Sequence, residues 1–141
     1  MAGFQRTAGR DGDSKEVTIT AGTAYVAGDL IMRKTTGGVC EAATSSITPN
    51  LMEAGGIVDS AVSTTDTVAV VLNIDYNTVY EVESANNSNS AHRYMFMTLT
   101  DLNTVNNTGT DNVTNPACYQ VGEVGVAADK RLLVKFTRAI S

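Results

Sequence analysis

Apolar and polar positions alternate with a period of two along most of this chain, which is the spacing of half-buried β-strands. Val17 and Ile19 share one face of residues 16–20 while Glu16, Thr18 and Thr20 share the other, and Ala21-Gly22 ends the run. Residues 30–33 follow Gly28-Asp29, and Gly37-Gly38 separates them from residues 39–43, so these two runs predict a hairpin. Residues 67–74 are apolar on nearly both faces, as in a central strand, with Val68, Val70, Leu72 and Ile74 on one side and Ala69, Val71 and Asn73 on the other. Asp75-Tyr76-Asn77 breaks that strand. Residues 79–83 then set Tyr80 and Val82 against Glu81 and Glu83, which predicts a second hairpin or a sharp corner. Residues 94–99, with Met95 and Met97 on one face, and residues 118–126 are further strands. The last, residues 132–137, turns Leu132, Val134 and Phe136 inward after an Asp129-Lys130 turn.

What lies between is short or polar. Residues 47–54 allow one helical turn, bounded by Pro49 and Gly55-Gly56. Residues 86–90 form a polar loop, and residues 101–116, rich in Asn, Thr and Gly, belong on the surface with at most one short edge strand. Residues 1–16 show neither a two-residue nor a 3.6-residue apolar period and read as an extended arm that becomes ordered on a partner such as a neighbouring copy. The expectation is therefore an all-β fold: a small single-domain barrel or sandwich of about seven to ten short strands, with an arm over residues 1–16 and the β-rich domain over residues 17–141.

Composition agrees with this. The 141 residues include 19 Thr and 16 Val, the β-branched types that suit strands, and 43% hydrophobic against 18% charged residues is too apolar for a disordered chain. A net charge of -5 speaks against nucleic acid as a partner, since that binding needs a basic stripe. No apolar run reaches the roughly 20 residues that cross a bilayer, so no membrane is expected, and synthesis in a cytoplasm is. The charges are segregated: residues 35–129 hold eleven acidic positions and only Arg93 as a base. This points to a basic surface turned toward an acidic partner. Its candidates are the arm residues Arg6, Arg10 and Lys15, with Phe4 as an apolar anchor, and the patch Lys130, Arg131, Lys135 and Arg138.

Catalytic signatures are missing. His92 stands alone beside a polar loop, and Cys40 and Cys118 are far apart without metal-ligand spacing, so they read as a solvated histidine and two small thiols. Glu81 and Glu83 share a strand face, as two glycosidase carboxylates could, but like charges on a wet face are the ordinary case. Asp11, Asp13 and Glu16 lack the remaining ligands of a calcium loop. No catalytic residue, cofactor or metal is expected, and the protein reads as a non-enzyme. A carbohydrate-binding β module remains an alternative, through Asn103, Asn106, Asn107, Asn112 and Tyr119.

The order of short phrases carries a resemblance. "TAYVAGDLIM" (residues 23–32), a Gly-Gly turn into "VCEAA", a valine-rich strand running into "YNTVYEVE" (76–83), "YMFMTLTDLNTVNNTGT" (94–110) and "RLLVKFTRA" (131–139) together resemble the capsid decoration, or cement, proteins of tailed bacteriophages. The resemblance implies an all-β domain bound to the lattice of the major capsid protein, on the outer surface of the virion, stabilising the shell. It also implies a homo-oligomer, with a trimer favoured. Another virion component, such as a tail, neck or fibre protein, is the structural alternative.

Overall fold

The computed structural model describes residues 3–114 and 116–138, and within them the chain is an all-β domain of eleven strands in two sheets. In chain order these are β1 (Gln5–Ala8), β2 (Ser14–Thr18), β3 (Leu30–Arg33), β4 (Cys40–Ala42), β5 (Gly56–Val58), β6 (Val68–Leu72), β7 (Val79–Ser84), β8 (Phe96–Asp101), β9 (Thr104–Asn106), β10 (Cys118–Val124) and β11 (Arg131–Phe136). One sheet runs β2-β6-β5-β3-β4 and the other β1-β7-β11-β10-β8-β9. In the second sheet β9 pairs antiparallel with β8 and also parallel with β7, through Glu83 opposite Thr104 and Ser84 opposite Val105. The ladder therefore returns on itself as a small barrel, from which β1 extends along β7. Closure leaves fewer unpaired edges to associate wrongly.

The main core lies between the sheets. Leu30, Met32 and Ile57 project from the five-stranded sheet onto Tyr80, Val82, Met97, Leu99, Val105, Leu132, Val134 and Phe136 of the barrel, all buried. A second cluster covers the opposite face of the five-stranded sheet, where Ile31, Val58, Ala69 and Val71 meet Ile19, Tyr25 and Val62. Two connecting segments supply that cover by running antiparallel: Ile19 donates to Thr67 O at 2.9 Å, Gly22 to Thr64 O at 2.7 Å, and Tyr25 and Val62 bond each other at 3.0 and 2.9 Å. Burying a Val, Ile or Leu stabilises by about 2 kcal/mol, enough to hold these otherwise polar segments on the sheet.

The expected hairpin exists as β3 and β4, paired with Ile31 opposite Ala42. The break at residues 75–77 is a corner, since β6 lies in one sheet and β7 in the other. The helical turn is α1 (Pro49–Ala54), capped by Thr48, whose Oγ1 accepts from Leu51 N at 3.3 Å. Gly55 and Gly56 end it and let β5 enter between β3 and β6. A Cβ on Gly55 would meet the Ile31 carbonyl oxygen, and Gly56 has φ +154 with the Leu72 carbonyl oxygen 2.5 Å from where its Cβ would be.

One expectation about the elements needs correction. Residues 3–16 are not a free arm but carry two strands of the chain's own sheets, while Met1 and Ala2 lie outside the described residues. β1 pairs with β7, β2 pairs with β6 over five register positions, and Phe4 is 3% exposed within the chain's own core. These strands are held by backbone ladders while their side chains stay mostly exposed, so no apolar period marks them. In residues 67–74 the more deeply buried face of β6 is that of Ala69 and Val71, whereas Val68 is 46% exposed. The expected central position holds, since β6 lies between β2 and β5, and Val70 and Leu72 on its other face are half-buried.

Candidate functional site

The eight residues expected to form a contact surface do not gather into one patch, and one of them is a core residue. Phe4 belongs to the core: its ring centroid is 4.9 Å from that of Phe136, and its amide donates to Gly28 O at 2.8 Å, so it cannot anchor a partner. Arg6 bonds Asp11 at 3.2 Å and Gly9 O at 3.0 Å, holding the turn between β1 and β2. Lys15 donates to Glu53 O at 3.1 Å, tying the edge strand β2 to α1.

Arg10 and Arg138 converge on one corner although they come from opposite ends of the chain. Arg10 Nε lies 3.4 Å from Asp75 Oδ2 with its side chain 83% exposed, and the Arg138 guanidinium sits 4.8 Å above the Tyr76 ring. Asp75 is held below the usual carboxylate range, chiefly by the Asn77 backbone amide and further by Arg10. Burial raises the Tyr76 hydroxyl. At the other end of β11, Arg131 bonds Glu81 at 2.8 Å, and exposed Lys130 occupies the left-handed C-cap of the Ala127–Asp129 turn with φ +54. Lys135, opposite Tyr119 on the outer face of the barrel, lies between the two ends. The basic patch expected over residues 130–138 is thus drawn out along a strand of about 20 Å.

The remaining candidates fall into structural roles. Glu81 is engaged by Arg131 and is not poised with Glu83 across a cleft. His92 is half-buried rather than a solvated loop residue. It closes the Ser90–His92 turn, packs against Gly109, and with Met97, Asn107 and Gln120 lines a cavity of about 10 Å³, the size of one water molecule. Cys40 and Cys118 are buried and unpaired, and burial pushes the Cys118 thiol up to about 12, so neither is a ready nucleophile.

The asparagines proposed for sugar binding do not form one platform. Asn107 is buried and committed to the backbone of Asn86 and Asn87, Asn106 and Asn112 line an open polar groove of about 340 Å³, and Tyr119 stands edge-on to Phe96 at 5.6 Å. Among the described residues, no group of three or more His, Cys, Asp or Glu side chains gathers into a metal site, and no helix is long and apolar enough to cross a membrane.

Two features carry no signal in the sequence. Tyr94 is 72% exposed with φ +68, its amide donating to Gln120 O at 2.7 Å beside a two-bond Arg93–Glu123 pair at 2.8 Å. Asp29 is 5% exposed, and burial raises its carboxyl above the usual range. No protein-family model matches the chain, and no curated protein matches it.

Proposed function

We propose that the protein is a capsid decoration protein: a non-enzymatic structural component of a tailed-phage virion, made in the host cytoplasm. In this reading it attaches to the outer surface of the assembled head through the major capsid protein lattice and stabilises the shell as a homo-oligomer, a trimer being favoured. The observation that carries the reading is the order of phrases from "TAYVAGDLIM" at residues 23–32 to "RLLVKFTRA" at residues 131–139. An all-β body with two apolar clusters suits the role, because a cement protein needs a rigid surface rather than a reaction centre. Exposed cations at the Arg10–Arg138 corner and at Lys130 give such a body charged contacts for an acidic shell. Binding at several symmetry-related points lets modest single contacts add up to firm attachment.

Co-sedimentation with undecorated, expanded phage heads tests the proposal. Copies bound per shell should saturate at a fixed ratio to the major capsid protein. No binding, with the protein forming tubes or fibres alone, would favour a tail or array component instead.

A further inference from the structure

Thr98 of β8 stands opposite Asn106 of β9, and the chain that leaves β9 comes back along β8 as residues 108–114. Two bonds tie it there: the Phe96 amide donates to Asp111 Oδ1 at 2.9 Å, and the Asn112 amide donates to Phe96 O at 3.0 Å. Two turns stiffen it from within, Thr110 N donating to Thr108 Oγ1 and Thr114 N to Asn112 Oδ1, each at 3.3 Å. The strand pair and the returning chain enclose the open groove of about 340 Å³, with Thr98 and Asn106 on one side and Thr108 and residues 110–114 on the other. Its walls are therefore held by the protein's own bonds, and a ligand need not order them. Much of their bonding capacity is unspent. Among the described residues, the Asn106 side-chain amide, Asn112 Nδ2 and Asp111 Oδ2 have no hydrogen-bond partner.

The mixture of groups selects the ligand. No Lys, Arg or His lines the groove among the described residues, so an anion finds no countercharge, and Asp111 is the one charged side chain, too few for a hard cation. An apolar ligand would strip water from amides and hydroxyls without replacing their bonds. Sugar hydroxyls each donate and accept, which matches carboxamides that do both, a carboxylate oxygen that accepts, and the Thr108 and Thr110 hydroxyls. Val113, 71% exposed, offers an apolar contact for the C–H face of a sugar ring. We propose that this groove binds a neutral oligosaccharide through Asn106, Asp111 and Asn112. Its volume lies at the low end of ligand sites, about 300–1,000 Å³, and suits one or two sugar units at a time. Asn103, Asn107 and Tyr119 take no part, because none of them lines it.

The test is titration of the full chain with lactose, maltose, cellobiose and N,N′-diacetylchitobiose, followed by NMR, with sialyllactose as the acidic counterpart of lactose. At least one neutral disaccharide should bind saturably, and sialyllactose should bind no more tightly than lactose. Asn106→Ala removes an amide that bonds nothing else, and Asn112→Asp keeps the oxygen that holds Thr114 N while losing the donor. Each should weaken binding of that disaccharide about tenfold, whereas Asn87→Ala, exposed and outside the groove, should leave it unchanged. If one groove variant does not fold, the other decides. No saturable binding of any neutral disaccharide, tighter binding of sialyllactose than of lactose, or equal binding by wild type and the groove variants overturns the proposal. The titration involves no phage heads, so its failure leaves the decoration reading standing, and failure of head binding leaves the groove standing.

Discussion

Phe4 lies four residues from the chain start, yet its ring tilts against Phe136, which Tyr80 meets edge-on at 5.1 Å. Phe4 is 3% exposed within this group of three packed rings, so Phe4→Ala should cost about 3–5 kcal/mol in chemical denaturation. A variant that unfolds at the wild-type denaturant midpoint would return Phe4 to the surface. Glu123 has a charge role of a different kind. Its pKa is lowered, chiefly by the hydrogen bonds from Arg93 and further by Gln120. A carboxylate lowered in the folded state stabilises above its ordinary pKa, and that contribution is lost as pH falls through the folded value. Glu123→Gln should therefore melt about 2–4 °C below wild type at pH 7. The two curves should converge as the pH drops well below 4.5, the unperturbed value. A difference that persists in acid would assign the loss to packing.

Among the elements, β1 and β2 decide how far the N-terminal segment is part of the fold. β1 covers half of one edge of β7, and β2 protects β6 with Lys15 and Glu16 on the outer edge, charges that discourage further strand addition. Deleting residues 1–14 removes β1, Phe4 and the start of β2, so the truncated chain should lose its cooperative melt by circular dichroism. An unchanged melt would show that both sheets are complete without it. The same elements show what the sequence pattern discloses. β3, β6, β7 and β11 are legible because they sit inside their sheets, where side chains alternate between core and the other face. β1 has four residues with none buried, β5 three that are all buried, and β9 only one buried residue, Val105, so none displays the alternation. The bases were equally legible as residues, but their partners were not. Arg131 meets Glu81 across 50 positions and Arg10 meets Asp75 across 65, pairings set by ladder register and the 75–77 corner rather than by local spacing.

For the whole molecule, on the decoration reading, a net charge of -5 would make an acidic shell repel the protein at long range, so attachment would depend on where the cations are concentrated. Four of the ten bases are spent in internal ion pairs among the described residues. Arg10 remains 83% exposed despite its pair, and Arg138, spread over the Tyr76 ring, presents its other face outward. Two guanidiniums on one rigid corner form a denser contact than Lys130, which stands on a turn about 20 Å away. On the decoration reading, the double variant Arg10→Glu/Arg138→Glu should lower the affinity for expanded heads at least tenfold in co-sedimentation, whereas Lys130→Glu should change it less than twofold. Rising salt should weaken wild-type binding and leave the double variant little affected, because the screened contacts are those it lacks. If Lys130→Glu has the larger effect, the shell is met by the opposite end of β11, and the molecule sits inverted on the lattice.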